Sequence, residues 1–120
     1  QHGGKWSIDD LMLFIEGTQG QAAHDRLRAD MEAVIVHSLR AVQGVMINDK
    51  RCFELYGFDI LLDQNLRPWL LEVNASPSLS ATTPEDRILK VRLINDVLNT
   101  VVPPNLGGSP HQGVERRVGT

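Results

Sequence analysis

Two apolar segments separated by a short polar stretch constrain the fold of this chain most strongly. The first is Cys52–Leu62 and the second is Pro68–Val73, with the polar residues 63–67 between them. Short apolar runs on either side of a turn-prone sequence are typical of a β-hairpin. The sequence therefore predicts two antiparallel strands joined by a tight loop, followed by an irregular Ser-, Thr- and Pro-rich segment at residues 75–82.

The alternation of side chains along a strand predicts that three oxygen-bearing residues share one face of this hairpin. Glu72 and Asn74 are two residues apart and therefore point to the same side. A four-residue loop would pair Asp63 with Pro68 and would place Asp59 opposite Glu72. Directly opposed residues have Cβ atoms about 4.5–5.5 Å apart. The predicted result is one cluster of two carboxylates and an amide.

This cluster is suited to a divalent cation, because two facing carboxylates repel each other unless a cation lies between them. Hard oxygen donors suit Mg²⁺, which binds one or two carboxylates and completes its shell with phosphate and water oxygens. Asp59 and Glu72 also interrupt apolar runs, where an unpaired buried charge would be costly. A solvated outer face of the hairpin is the alternative. The residues alone leave both interpretations open, a metal–phosphate site and a solvated face.

Helical patterns lie on both sides of the hairpin. A capping pattern at Ser7 predicts a helix over residues 8–17, and apolar residues at three- and four-residue steps predict a second helix over residues 18–43. Pro84 at a first helical position predicts a third helix, which the two prolines at 103 and 104 end. The fold class is therefore α+β, in the order helix, helix, β-hairpin, helix. A two-stranded hairpin is marginally stable alone, so it is expected to join a larger antiparallel sheet.

The composition argues against several classes of protein. A chain of 120 residues with 42% hydrophobic content can form one domain core, and a net charge of −3 gives no general case for a nucleic-acid partner. No apolar run approaches the ~20 residues that span a bilayer, so no membrane partner is expected. The single cysteine, Cys52, excludes an internal disulfide and is expected to be a buried thiol. The opening shows neither an initiator Met nor a signal-peptide pattern, which indicates a fragment of a longer protein.

Two strings in and after the hairpin resemble the signature of the tubulin-tyrosine-ligase-like family. They are YGFD at residues 56–59 and PWLLEVNASPSL at residues 68–79. The likeness extends upstream to GGKWS at residues 3–7 and downstream into residues 86–96, and it covers about residues 2–103. Members of this family are ATP-grasp carboxylate–amine ligases. Within it, the chain is most similar to the tubulin polyglutamylase that serves as the catalytic subunit of a multi-subunit complex.

The resemblance implies a domain assignment. Residues 1–104 would be the C-terminal portion of an ATP-grasp ligase domain, with helices packed on an antiparallel sheet. Residues 105–120 contain glycines and few apolar residues, so they are expected to form a disordered tail. Because the other half of the domain would clamp the nucleotide, residues 1–120 alone are expected to be inactive.

The resemblance also implies a reaction and residue roles. The enzyme would use ATP to add free glutamate to glutamate side chains in tubulin C-terminal tails, through an acyl-phosphate intermediate. The catalytic and Mg²⁺-binding roles, and through Mg²⁺ the binding of ATP, fall to Asp59, Glu72 and Asn74. Lys5, in a Gly-Gly-Lys loop, would be a weak nucleotide contact. Arg87 and Lys90, one helical turn apart, would be weak substrate contacts.

The implied partners are tubulin in microtubules and other subunits of a polyglutamylase complex. Four basic residues could help to steer the acidic tubulin tails: Lys50, Arg51, Arg87 and Lys90. The implied location is the cytoplasm and cytoskeleton, including a cilium, flagellum or basal body. Two alternatives stay open. One is a glycine or tyrosine ligase that acts on tubulin or another protein, and the other is a catalytically dead member that binds tubulin or assembles a complex.

Overall fold

The computed structural model describes residues 5–102, which fall in two compact units. The first unit ends at Pro77 and the second begins at Ser78. The elements are α1 (Ile8–Gln19), α2 (Gln21–Val42), β1 (Gly57–Leu62) and β2 (Pro68–Asn74) in the first unit, and α3 (Pro84–Val101) in the second. This order confirms the predicted α+β class.

Helix α1 begins where the sequence predicts and ends later. The hydroxyl of Ser7 accepts a hydrogen bond from the backbone N–H of Asp10 at 3.0 Å, which caps the helix. The prediction that Gly17 ends α1 is wrong, because the helix continues to Gln19. The break lies at Gly20, whose φ of 87° falls in the left-handed region. Glycine adopts that region without the steric cost that a Cβ brings.

The glycine inside α1 and the glycine that follows it should respond in opposite directions to alanine. Gly17 lies inside the helix, and a methyl group added there would meet open space, so Gly17→Ala should stabilise the unit by about 0.5–1 kcal/mol. Gly20→Ala should destabilise it by about 1 kcal/mol, because alanine is strained at a positive φ. Urea unfolding of the two variants checks this prediction, and a stabilised Gly20→Ala would contradict it.

The apolar core of the first unit is small. Its buried hydrophobic side chains, among the residues described, are Met12, Ile15 and Leu27. Leu62 at the end of β1 and Leu66 in the following loop pack against this cluster, and β2 contacts α2. The hairpin is therefore attached to the helix pair through its loop end.

Strand β1 is shorter than predicted. It begins at Gly57, whereas the apolar run begins at Cys52, and residues 52–56 lie outside the sheet. The expectation of a buried thiol is wrong, because Cys52 is exposed in this leading segment. The second strand, by contrast, matches the predicted run to within one residue.

The hairpin loop has five residues, one more than predicted. Pro68 pairs with Leu62 rather than with Asp63. Asp63 belongs to the loop, where its backbone N–H donates to the carbonyl of Arg67 at 3.1 Å. Its carboxylate accepts hydrogen bonds from the backbone N–H groups of Asn65 at 2.8 Å and Arg67 at 3.0 Å. These bonds hold the loop in its five-residue form.

A β-bulge restores the predicted pairing deeper in the hairpin. From Ile60 opposite Leu70 to Asp59 opposite Glu72, β1 advances one residue while β2 advances two. Leu71 is therefore the extra residue. The two halves of the sheet differ in register by one residue, and Asp59 faces Glu72 as the sequence predicts.

The second unit contains α3 and the segment before it. The hydroxyl of Thr83 accepts a hydrogen bond from the backbone N–H of Asp86 at 3.1 Å, and Pro84 occupies the first helical position. This confirms the predicted start, while the two prolines expected to end the helix lie outside the described residues. No described helix of the chain is both long and apolar enough to cross a membrane.

Candidate active site

The outer face of the hairpin carries the three residues that the sequence singles out. Asp59 pairs with Glu72, and Asn74 pairs with Gly57 at the open end of the sheet. Paired residues on antiparallel strands share a face, so the two carboxylates and the amide lie together. The opposite face carries Leu62, which packs against the helices. The geometry thus separates an oxygen-rich outer face from an apolar inner face.

Neither carboxylate of the pair has a protein partner among the residues that the structure describes. Within residues 5–102, Asp59 and Glu72 form no ion pair and their side chains accept no hydrogen bond. Both side chains are exposed, so the expectation that they are buried charges is wrong. The pairing itself, rather than burial, is what distinguishes them from ordinary surface carboxylates.

The donor set fits Mg²⁺ as a partial shell. Asp59 and Glu72 supply carboxylate oxygens and Asn74 can supply an amide oxygen, all of the hard type that Mg²⁺ prefers. The described part of the chain contains no group of three or more His, Cys, Asp or Glu residues that could hold a metal. These residues therefore suit a cation that takes its remaining ligands from phosphates and water, as Mg²⁺ does.

Gly57 is a residue of this site that the sequence reasoning missed. A Cβ built on Gly57 would lie 3.0 Å from the Cβ of Pro77 and 3.9 Å from the Cβ of Asn74. The segment after β2 therefore folds back against the open end of the hairpin, and Gly57 leaves the space for it. An isolated glycine at a strand end is a signal for such a close approach.

Gly57→Ala should consequently disturb the site, although it adds only one methyl group. The added methyl group must push Pro77 away by a few tenths of an ångström, which strains the segment that joins Pro77 to Asn74; the Cβ of Asn74 itself stays at an ordinary contact distance of 3.9 Å. In the full-length protein we expect Mg-ATP affinity to fall several-fold, equivalent to about 1 kcal/mol. Titration calorimetry measures this, with Gly44→Ala as the matched control because a methyl group there meets open space. Equal affinities for the two variants would contradict the prediction.

Comparison with known proteins identifies the family. The model of the "Tubulin-tyrosine ligase family" matches residues 1–109. The chain belongs to the tubulin-tyrosine ligase family. It is 47% identical over 103 residues to "Probable alpha-tubulin polyglutamylase Ttll1" of Tetrahymena thermophila, covering 86% of this chain and 25% of that protein.

Two further relatives agree with this assignment. The chain is 48% identical over 101 residues to "Probable tubulin polyglutamylase ttll-9" of Caenorhabditis elegans, covering 84% of this chain and 24% of that protein. It is 50% identical over 99 residues to "Probable tubulin polyglutamylase TTLL9" of Rattus norvegicus, covering 82% of this chain and 22% of that protein. The chain thus spans about a quarter of the length of these curated relatives. No solved structure matches it.

The remaining predicted site residues of this tubulin-tyrosine ligase family member lie on other elements. Lys5 is exposed just before α1, and the two glycines before it are outside the described residues. Arg87 is exposed on α3. Lys90, one turn later, is half-buried, and its ammonium donates to the backbone carbonyl of Ser78 at 2.7 Å. An ammonium has three N–H donors, so Lys90 fixes the start of the second unit and, as far as residues 5–102 show, keeps donors for another group.

The two basic residues before the hairpin differ in availability. The guanidinium of Arg51 makes two hydrogen bonds to the carboxylate of Asp49, at 3.1 and 2.9 Å. The carboxylate in turn has its pKa lowered by the side chain and backbone N–H of Arg51. Lys50 is exposed and forms no ion pair within the described residues. Of this pair, Lys50 is the freer positive charge for an acidic partner.

The loop end of the hairpin forms a small network on the same outer face. The indole N–H of Trp69 donates to the carboxylate of Asp63 at 3.1 Å, and the guanidinium of Arg67 lies 4.3 Å from the centre of the Trp69 ring. The Trp69 hydrogen bond, together with those from the loop backbone and the charge of Arg67, lowers the pKa of Asp63. Asp63 therefore stays ionised and keeps the loop fixed at neutral pH.

Proposed function

We propose that the full-length protein carrying this chain is an ATP-dependent tubulin polyglutamylase. The single observation that carries the proposal is the pairing of Asp59 with Glu72 on the outer face of the hairpin. It places two carboxylates together, with Asn74 beside them, and neither carboxylate has a partner within residues 5–102. The chain is a member of the tubulin-tyrosine ligase family. Relatives that are 47–50% identical carry names of tubulin polyglutamylases.

The proposed roles of the residues follow from their chemistry. Asp59, Glu72 and Asn74 would hold Mg²⁺, which when bound neutralises the negative charge of ATP phosphates during transfer. The same residues would hold ATP in a fixed orientation relative to the acceptor carboxylate. The acceptor glutamate of the tubulin tail would take the γ-phosphoryl group of ATP, which releases ADP and forms an acyl phosphate. The amine of free glutamate would then attack the acyl carbon and release inorganic phosphate. The product would be an isopeptide-linked branch.

The basic side chains of the chain support an acidic substrate. Arg87 and Lys50 are exposed, and the ammonium of Lys90 makes one hydrogen bond within the described residues. Each of these residues could attract the polyanionic tubulin tail or a phosphate. The proposed setting is the microtubule cytoskeleton, including cilia or basal bodies, with other polyglutamylase subunits as partners.

Mass spectrometry of tubulin tests the proposal directly. The full-length protein is incubated with microtubules, Mg-ATP and a mixture of free amino acids, and the tails are then weighed intact. The expected result is a ladder of glutamate masses that requires ATP. A glycine or tyrosine ladder would keep the ligase chemistry and change the donor. The absence of any ladder, together with the absence of Mg-ATP binding, would support a catalytically dead, tubulin-binding member instead.

A further inference from the structure

The β-bulge at Leu71 allows β2 to place Pro68 on the inner face of the hairpin and Glu72 on its outer face. Near the loop, Pro68 is buried and lies opposite Leu62, which packs on the helices. Strict alternation would put Glu72, an even number of residues after Pro68, on that same inner face. With Leu71 as an extra residue, Glu72 instead lies opposite Asp59 on the outer face.

The loop prevents the hairpin from avoiding the bulge by a shift in register. The predicted four-residue loop would give one continuous register with Asp59 opposite Glu72 and no extra residue. Asp63 blocks it, because its backbone and carboxylate close the five-residue loop through Arg67 and Asn65. The carboxylate is further held by the indole N–H of Trp69. The register of the loop end is therefore fixed, and the adjustment must occur inside the strand.

The pairing of Glu72 with Asp59 does not by itself require Leu71, however. A β2 strand without this residue would run regularly from Leu70 opposite Ile60 to Glu72 opposite Asp59, with every side chain on its present face. What the extra residue adds is a local bend and a stronger twist, which change the direction of the side chains beside it. The bulge lies between the Ile60 and Asp59 pairs, directly next to the two carboxylates.

We propose that Leu71 is a positioning residue for the metal–phosphate site. Through the bulge, it sets the angle at which Glu72 points relative to Asp59 and to Asn74 two residues later. Its own side chain is 65% exposed, so within the described residues it acts through the backbone rather than through packing. This inference rests on the proposed function, because it assigns the outer face to Mg-ATP.

Deletion of Leu71 in the full-length protein tests the proposal. The variant should fold, because every remaining residue keeps its face, and thermal unfolding of the full-length protein checks this. Mn²⁺ binding in the presence of ADP, followed by electron paramagnetic resonance, then reports on the site without any tubulin. We expect the half-saturating Mn²⁺ concentration to rise by at least about tenfold, the scale on which supporting residues affect metal affinity.

The conservative variant Leu71→Val preserves the number of residues in β2 and therefore the bulge. Its Mn²⁺ affinity should stay within about threefold of that of the wild-type protein. Unchanged Mn²⁺ affinity after the deletion would overturn the proposal. Loss of folding would also overturn it, because the role of the bulge would then be purely structural. Wild-type protein that binds Mn²⁺ and ADP but adds no glutamate to tubulin would refute the proposed function while leaving the deletion result readable.

Discussion

Glu72→Gln in the full-length protein should reduce ATP-dependent glutamate addition to tubulin by at least about 10²-fold. The substitution keeps the size and position of the side chain and removes its negative charge. Asp59, directly opposite, would then face an amide, and the site would lose half of the charge that attracts the cation. Losing one fixed electrostatic group from a site of this kind costs about 10²–10³ in rate. Intact-mass analysis of tubulin tails over time measures the effect.

Glu32→Gln is the matched control for this prediction. Glu32 is an exposed residue of α2 whose carboxylate lies 3.6 Å from the guanidinium of Arg28, and exposed ion pairs of this type contribute little. The control should keep the wild-type rate, and both variants should have wild-type melting temperatures. A Glu72→Gln enzyme that retains the wild-type rate would contradict the assignment of the metal site to the outer face of the hairpin.

The pairing at the centre of the site was predictable, although for an incomplete reason. Period-two alternation and a four-residue loop place Asp59 opposite Glu72, and the structure has this pair. The loop is nevertheless longer by one residue, and the bulge at Leu71 compensates for the difference. Hydrophobic patterns could not reveal this, because Leu71 is apolar in either register. The signal for the longer loop was Asp63, whose side chain can accept hydrogen bonds from the backbone of a turn.

Local signals predicted the starts of α1 and α3 well, and they predicted burial poorly. Caps at Ser7 and Thr83 depend only on neighbouring residues, so the sequence alone predicts them. The exposure of Cys52 depends on which other elements cover it. The close approach of Gly57 to Pro77 likewise depends on the path that the chain takes after it leaves β2. Such tertiary contacts leave no periodic pattern in the sequence, so the sequence does not predict them.

The attachment of the hairpin depends on very few buried side chains. Leu27 is 1% exposed and meets Met12 and Ile15 of α1. Leu62 and Leu66 of the hairpin pack on the same cluster. A core of this size has little capacity to rearrange around a cavity, so a lost side chain in the cluster should affect both the helices and the strands.

Leu27→Ala should therefore lower the local free energy of unfolding of the first unit by about 3 kcal/mol, within the range for buried leucines. At about 1.4 kcal/mol per tenfold change, the hydrogen-exchange protection of α1, α2 and the hairpin in the full-length protein should fall about 10²-fold. Leu13→Ala is the control, since Leu13 of α1 is 66% exposed. Loss of protection in the helices with an unchanged hairpin would show that Leu62 and Leu66 do not couple the strands to this cluster. If protection instead falls equally in α1, α2 and both strands, the strands that carry the carboxylate pair unfold together with the helices, and Leu27 stabilises both.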